Sequence, residues 1–346
     1  MESPSVIDTD VAIIGAGPVG LFAVFELGLL DIKAALIDVL PKPGGQCAEL
    51  YPEKPIYDIP GLPVVTGSDL TTNLMNQIKP FNPQFLLGQT ALSFAKTSAG
   101  FWNVTTNAGT VVRARALMLA TGGGLFTPKK LPQPDAVAYE EVSLFYAVRS
   151  RAAFAGKRVV VAGGGDSAID WAIDLAEHEI DVTLTHRRDD FRAAPARVAQ
   201  MRDLVAAGKM KLVIGQLIGL KGKAPQVTSV TIATGSGVDA VACDISCDAL
   251  LVFYGLTMNA PPLTGLGLTL ENGLVPVDTE TFATQTPGVY AIGDICTYPG
   301  KLKLILSGFH EGALAAQAIF KYIYPDRKLR FQYTTTASDL HRKLGV

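Results

Sequence analysis

A short apolar run ending in closely spaced glycines and leading into a helix-like stretch occurs twice in this 346-residue chain. The first copy is DVAIIGAGPVG at 10–20, with 21–30 as the helix and AALID at 34–38 as a second strand. The second is RVVVAGGGDSA at 158–168, followed by a helix over 167–178 and a strand over 181–185. Strand, glycine turn, helix and parallel strand form the opening unit of a nucleotide-binding half. Gly15 and Gly163 stand 148 residues apart, too far for one site. The repeat therefore predicts an α/β chain with two Rossmann-like, three-layer dinucleotide-binding domains. An apolar strand, VYAIGD at 289–294, follows the second unit. The first domain is thus expected to be discontinuous (1–126 and 250–346, with a tail from about 325), and the second to be inserted at 127–249. Linkers are expected at 126–131 and near Gly255.

The residues inside each turn have separate tasks. Gly15-Ala16-Gly17-Pro18-Val19-Gly20 fits G-x-G-x-x-G with a strand before it and a helix after it. Its glycines permit a tight turn, close approach of a pyrophosphate and close helix packing. Pro18 has no N–H, so Val19 and its successors are the helix-terminal donors to phosphate. Asp38 closes the second strand, where a carboxylate accepts from ribose hydroxyls. Gly163-Gly164-Gly165-Asp166-Ser167-Ala168 repeats the design with alanine last. Its second strand ends in His186-Arg187-Arg188 instead of an acid. A carboxylate would repel a 2′-phosphate, whereas guanidinium groups bind one in bidentate fashion. This favours NADP(H), unless the arginines are only a solvated basic loop. Arg192 either joins that cluster or is surface.

Between these units, 41–63 reads as a proline-rich loop. FWNVTT at 101–106 and TVVRARALMLAT at 110–121 read as hairpin strands closing on Gly122 to Gly124. Residues 225–255 read as strands, partly a meander, and 307–324 as a helix. The acidic start lacks the basic and apolar regions of a signal peptide. The apolar run 21–30 contains Glu26 and is too short to span a bilayer. Four cysteines form no disulfide framework in a chain this long. The expectation is a soluble, cytoplasmic protein with reduced thiols, no membrane contact and, lacking any basic-aromatic reader pattern, no nucleic-acid partner. No metal site is expected.

The stretches GAGPVG, GGQCAELYPEKPIYDIPG, ATGGGLFTPKKL, GGGDSAIDWA, HRRDDFRAAP and GDICTYPGKLKLILSGFHEGALAA span nearly the whole chain. Together they resemble the thioredoxin-reductase-like flavoproteins, and within them the dimeric bacterial-type ferredoxin–NADP reductases. The resemblance implies FAD in the first site and NADP(H) in the second. Asp294 would hold the ribityl chain, and Gln46 and Tyr51 would contact the flavin, with Tyr51 on one ring face. Ala91 and Phe126 would contact the adenine side and the surroundings of the isoalloxazine. The tail FQYTTT at 331–336 would reach the other subunit of a homodimer, with Tyr333 on the second ring face and Thr335 beside it.

Related disulfide reductases use C-x4-C after the glycine pair or C-x2-C before the second glycine turn. Here Cys47 is followed at the second position by Pro52, and 136–157 holds no cysteine. Cys243 and Cys247 share a strand face at a spacing that fits no redox motif, and Cys47 and Cys296 read as small buried hydrophobes. Electrons would then pass by hydride transfer from NADPH to the flavin and in one-electron steps to ferredoxin or flavodoxin. Lys321, Arg327, Lys328, Arg330, Arg342 and Lys343, against Asp326 and Asp339, leave a basic excess near the C-terminus. With Lys301 and Lys303 it either steers an acidic partner or is merely solvated. Two rivals stay open: an NADPH-dependent reductase of quinones, small disulfides or oxygen, and a non-enzymatic flavin redox-sensing module.

Overall fold

The computed structural model describes residues 5–235, 241–259, 263, 265–329, 335 and 341–342, without the side chains of 125, 126, 258 and 259. Tyr333 lies outside the described residues, and so does the side chain of Phe126. The chain divides into two compact units, one formed by 1–125 with 258–346 and one by 126–257. The described α-helices are α1 Pro18–Leu29, α2 Gly45–Glu49, α3 Gly67–Ile78, α4 Asp166–Glu177, α5 Pro195–Ala206 and α6 Ile305–Ile323.

The discontinuous unit is built on a five-stranded parallel sheet. Its order is Val289–Ala291, Ala116–Leu119, Val11–Ile14, Ala34–Asp38 and Gln84–Leu87. Every residue of Val11–Ile14 is buried, as expected for a strand covered on both faces. The two-residue period sends alternate side chains to opposite layers. Val11, Ile13, Leu36 and Met118 pack under α1, α3 and α6. Ala12, Ile14, Ile37, Leu117 and Ala291 pack against a four-stranded layer of Val6–Asp8, Val111–Ala114, Trp102–Thr106 and Ala91–Lys96. Ile13, Leu36 and Met118 are fully buried, each worth roughly 1.5–3 kcal/mol of apolar transfer.

The contiguous unit repeats this plan. Its parallel sheet runs Leu144–Phe145, Ala249–Phe253, Arg158–Gly163, Asp181–His186 and Lys211–Ile214. Val159, Val161, Val182 and Leu184 face α4 and Met201 of α5. Val160, Ala162, Leu250 and Val252 face an antiparallel sheet of Gln216–Lys223, Gln226–Thr234 and Val241–Ser246. Thioredoxin-reductase-like three-layer packing is thus present in both units.

One expected element is different. The run 110–121 is not a single hairpin strand: 111–114 stays with the antiparallel layer, while 116–119 enters the central parallel sheet. The reason is a bend at Arg115. The N–H groups of Arg115 and Ala116 both donate to the Asp10 carbonyl, at 2.9 and 3.1 Å, and the chain changes layer there.

Candidate cofactor and nucleotide sites

In the discontinuous unit, three turns without bulky side chains meet at the carboxyl ends of the parallel strands. Gly15 has φ +112°, and an added Cβ would meet the Ala120 carbonyl and lie 3.2 Å from Thr121 Cα. Gly20 is closed in the same way, because its Cβ would fall on the Gly15 carbonyl oxygen. Gly17 differs: only Gly45 Cα, at 3.9 Å, lies near its added Cβ. Gly17 caps α1 without a side-chain hydrogen bond, and Pro18 follows with its fixed φ. Helix geometry leaves the N–H groups of Val19 and Gly20 without intrahelical acceptors. Opposite them, Gly44 and Gly45 adopt φ +113° and +57°, and the Gly44 N–H donates to the Ala16 carbonyl at 2.8 Å.

The geometry fits a dinucleotide pyrophosphate. The open ground at Gly17 is a cradle that a Cβ would fill, closed on one side by Gly45, where an added Cβ would lie 3.0 Å from Gly17 Cα, and it lies at a helix N-terminus. Thr121, next to the turn, has a buried Oγ1 with no partner among the described residues. Asp38 stands at the rim, accepting from Ala16 N at 2.6 Å and Leu40 N at 2.8 Å. Burial raises its carboxyl above the ordinary range, and these two N–H groups pull it back down. Two bonds leave about half of a carboxylate's four acceptor positions open for ribose.

Around α2 the structure places Gln46 and Tyr51 half-buried and Cys47 buried. The Cys47 thiol donates to Tyr51 Oη at 3.7 Å, so Cys47 is more than a small hydrophobe. Burial, then Cys47 and Asp294, pushes the Tyr51 phenol well above its usual value. Asp294 is half-buried in the turn Gly293–Ile295, and its charge is felt at both Cys47 and Tyr51. This turn packs on α1: Val19 lies 3.5 Å from an added Cβ at Gly293, and Val19 also fills the space beside Gly308 of α6. Ala91 is buried in the core, so only its backbone can reach a nucleotide. Thr335 is exposed.

Sequence reading missed Glu311. It is fully buried on α6, bonded to the Gly293 N–H, the Tyr298 hydroxyl and Lys301. Only the acid's place within an apolar helix face hinted at it. Lys301 in turn is 6% exposed at its side chain and paired with Glu311, which removes it from any surface that steers a partner. Arg327 covers Phe320 and Tyr324 with its guanidinium 5.5 and 4.7 Å from the rings. Lys303, Lys321 and Lys328 are exposed, and Arg330 and Lys343 lie outside the described residues.

The contiguous unit carries the second turn. Gly163 has φ +157° and a Cβ there would sit 2.6 Å from the Phe253 carbonyl oxygen. Gly165 caps α4 and has only the Arg192 carbonyl, at 3.7 Å, near its added Cβ. Ser167 is exposed in the first helical turn, and Asp166 accepts from the Ala194 N–H at 2.9 Å. The Arg192 N–H donates to the Gly164 carbonyl at 2.7 Å. These two bonds tie the arginine loop to the glycine turn. His186 lies beneath Gly164 and packs tilted against Phe191, ring centroids 5.4 Å apart. Burial, then Arg188 and Arg187, lowers its basicity. Arg187 and Arg188 are exposed, and the contact of Arg188 with Asp190 is loose at 3.8 Å. Among the described residues, neither arginine is held in a tight ion pair that a phosphate would have to displace.

Comparison with known proteins agrees with this geometry. A protein named ferredoxin–NADP reductase from Rhodopseudomonas palustris (strain BisB18) is 56% identical over 340 residues, 98% of each chain. One of the same name from Bradyrhizobium sp. (strain ORS 278) is 57% identical over 98% of each. A crystal structure of Lactococcus lactis thioredoxin reductase (FR conformation) shares the fold with a TM-score of 0.73 at 24% identity, covering 92% of this chain and 99% of that one. The sequence pattern of the family described as "Pyridine nucleotide-disulphide oxidoreductase" matches residues 9–317. The chain belongs to the pyridine nucleotide-disulphide oxidoreductase family.

Proposed function

We propose that this chain is an FAD-dependent ferredoxin–NADP reductase, passing electrons between NADP(H) and ferredoxin, with flavodoxin as an alternative acceptor. The observation that carries the reading is the contrast between its two glycine turns. One is served by Asp38 and the other by Arg187 and Arg188, so the chain has one site for FAD and one for a 2′-phosphorylated nicotinamide nucleotide. Relatives bearing the reductase name across 98% of the chain support ferredoxin as the acceptor.

Gly17, Val19 and Gly20, faced by Gly45, would bind the FAD pyrophosphate through backbone N–H groups, while Gly15, whose own N–H donates to the Ile37 carbonyl at 2.9 Å, would shape the turn, and Asp38 would bind its ribose. The backbone of Ala91 would meet the adenine side, while Gln46, Tyr51, Asp294 and Phe126 would surround the flavin side. When bound, FAD supplies the exchange between two-electron nicotinamide chemistry and one-electron protein acceptors. Tyr51 keeps its proton throughout the neutral range, because burial disfavours its anion. It serves as a neutral ring that covers and excludes water, with its hydroxyl held by Cys47.

For NADP(H), Gly163, Gly165 and Ser167 offer the helix terminus, and Asp166 acts by holding the loop that carries Arg187 and Arg188. Burial pushes the thiols of Cys247 and Cys296 up to about 12 and raises that of Cys47. Buried, protonated thiols are poor nucleophiles, so electrons are handed directly to the protein acceptor. A cytoplasmic homodimer completes the reading, with Tyr333 and Thr335 in the tail placed beside the flavin of the other copy.

The purified protein should reduce ferredoxin with NADPH at a kcat/KM at least about tenfold above that for quinones or small disulfides, an interval of about 1.4 kcal/mol. A preference for a disulfide or quinone would overturn the assignment. Deleting residues 331–346 should change the rate of reduction by NADPH, and an unchanged rate would remove the tail from the site.

A further inference from the structure

A carboxylate with no exposure is costly unless its acceptor positions are filled. Glu311 of α6 is such a group. Its Oε1 accepts from Tyr298 Oη at 2.8 Å and from the buried Lys301 Nζ. Its Oε2 accepts from Gly293 N at 2.6 Å, and the Cys296 thiol, which donates to the Gly293 carbonyl at 3.2 Å, also lies 3.5 Å from it. A carboxylate has about four acceptor positions; three are filled by Gly293, Tyr298 and Lys301, the Cys296 thiol approaches the fourth, and all of these groups come from the one segment 293–301.

That segment begins with the residue before Asp294. Gly293 is held at φ +75°, left-handed backbone that favours glycine. Its N–H is fixed by Glu311, and its Cα face rests on Val19 at the start of α1. Lys301, at the far end, is fixed by the same carboxylate. The Asp294 backbone is therefore clamped on both sides, while its charge reaches Cys47 and Tyr51 across the site. A clamp needed only for stability could be apolar, since well-packed hydrophobic replacements of buried ion pairs are often at least as stable. An N–H acceptor at Gly293 cannot be replaced in that way.

We infer that Glu311 is a positioning residue for FAD: it fixes the Gly293 N–H and the 293–301 loop so that Asp294 meets the cofactor. The inference rests on the FAD reading above and acts entirely through Asp294.

The test is a double-mutant cycle on the full-length holoenzyme, with FAD dissociation read by flavin fluorescence release. Glu311→Gln should weaken FAD binding about tenfold and Asp294→Ala about thirtyfold, the scale of lost charge-assisted hydrogen bonds. The double variant should be no weaker than Asp294→Ala within about threefold, because one effect runs through the other. Multiplying effects, or an E311Q protein with FAD affinity within twofold of the parent, would overturn the inference. If E311Q does not fold, the isosteric pair Glu311→Gln with Lys301→Met takes its place in the same cycle. A parent that binds no FAD would instead sink the reductase reading itself, so the two failures are distinguishable.

Discussion

Gly17 separates cofactor binding from folding, and alanine substitution there makes the separation measurable. At Gly17 φ is −71°, which alanine adopts freely, and the added methyl has only Gly45 Cα near it at 3.9 Å. Losing a glycine cap costs some tenths to about 1 kcal/mol. The stiffer unfolded chain returns about 0.4–1 kcal/mol. The apoprotein of G17A should therefore match the parent within about 1 kcal/mol in urea unfolding. On the proposed FAD site, the same methyl would occupy the place where the pyrophosphate approaches. Shifting the phosphate off the Val19 and Gly20 N–H groups loses two charge-assisted bonds, about 3 kcal/mol at the low end, or more than a hundredfold in FAD affinity. G15A is the contrast, since its φ of +112° and its contact with the Ala120 backbone strain the fold itself. Apoprotein unfolding and FAD titration of G15A, G17A and parent decide the matter. A G17A protein that binds FAD within threefold of the parent, or that loses more than about 2 kcal/mol of apoprotein stability, would refute the reasoning.

The double variant Arg187→Ala, Arg188→Ala should lower kcat/KM for NADPH about a hundredfold, at about 1.4 kcal/mol per guanidinium. Its kcat/KM for NADH should stay within threefold of the parent, and equal losses for both nucleotides would argue against a 2′-phosphate role. An aromatic disulfide reagent at pH 8 should reach one thiol of the native protein, half-buried Cys243, because Cys47, Cys247 and Cys296 are buried. With Cys247 and Cys296 pushed up to about 12, only about one part in ten thousand is thiolate at that pH. Four fast-reacting thiols before denaturation would contradict this. Arg158 holds the Asp248 carboxyl down at about 2. A depressed acid stabilises the fold above its unfolded value near 3.9, so the Tm gap between parent and Asp248→Asn should be full at neutral pH and close as pH falls from about 4 to about 2. A gap independent of pH would mean that the substitution disturbs something other than charge.

Much of the site is legible in the sequence because its signals are local. A strand, a glycine turn and a helix follow one another within about twenty residues, and the strand-end residues Asp38, Arg187 and Arg188 stand at fixed distances from them. What escapes depends on side-chain contacts that only the folded geometry makes, some between near neighbours and some across the chain. Nothing near Lys301 in the chain reveals the carboxylate ten residues on that buries it. Cys47 reads as filler, and only folding brings its thiol to the hydroxyl of Tyr51. The run 110–121 reads as one strand because each of its halves is strand-like. The switch between layers is decided by the Asp10 carbonyl, about a hundred residues earlier.

The interrupted unit also has a temporal consequence. Its central sheet includes Val289–Ala291, and the core that buries Val24 of α1 is completed only by Ala315, Ile319 and Phe320 of α6. On the ribosome the first 125 residues emerge without either piece, whereas 126–257 holds its whole sheet in one stretch. Synthesis at about 5–20 residues per second leaves roughly ten seconds or more between the first turn and the strand that finishes its sheet. The inserted unit can complete its sheet as soon as residue 257 has emerged, whereas the discontinuous unit must wait for Val289–Ala291 and α6. The hazard of aggregation during synthesis is therefore concentrated in Ala116–Leu119, the strand whose outer neighbour, Val289–Ala291, arrives last.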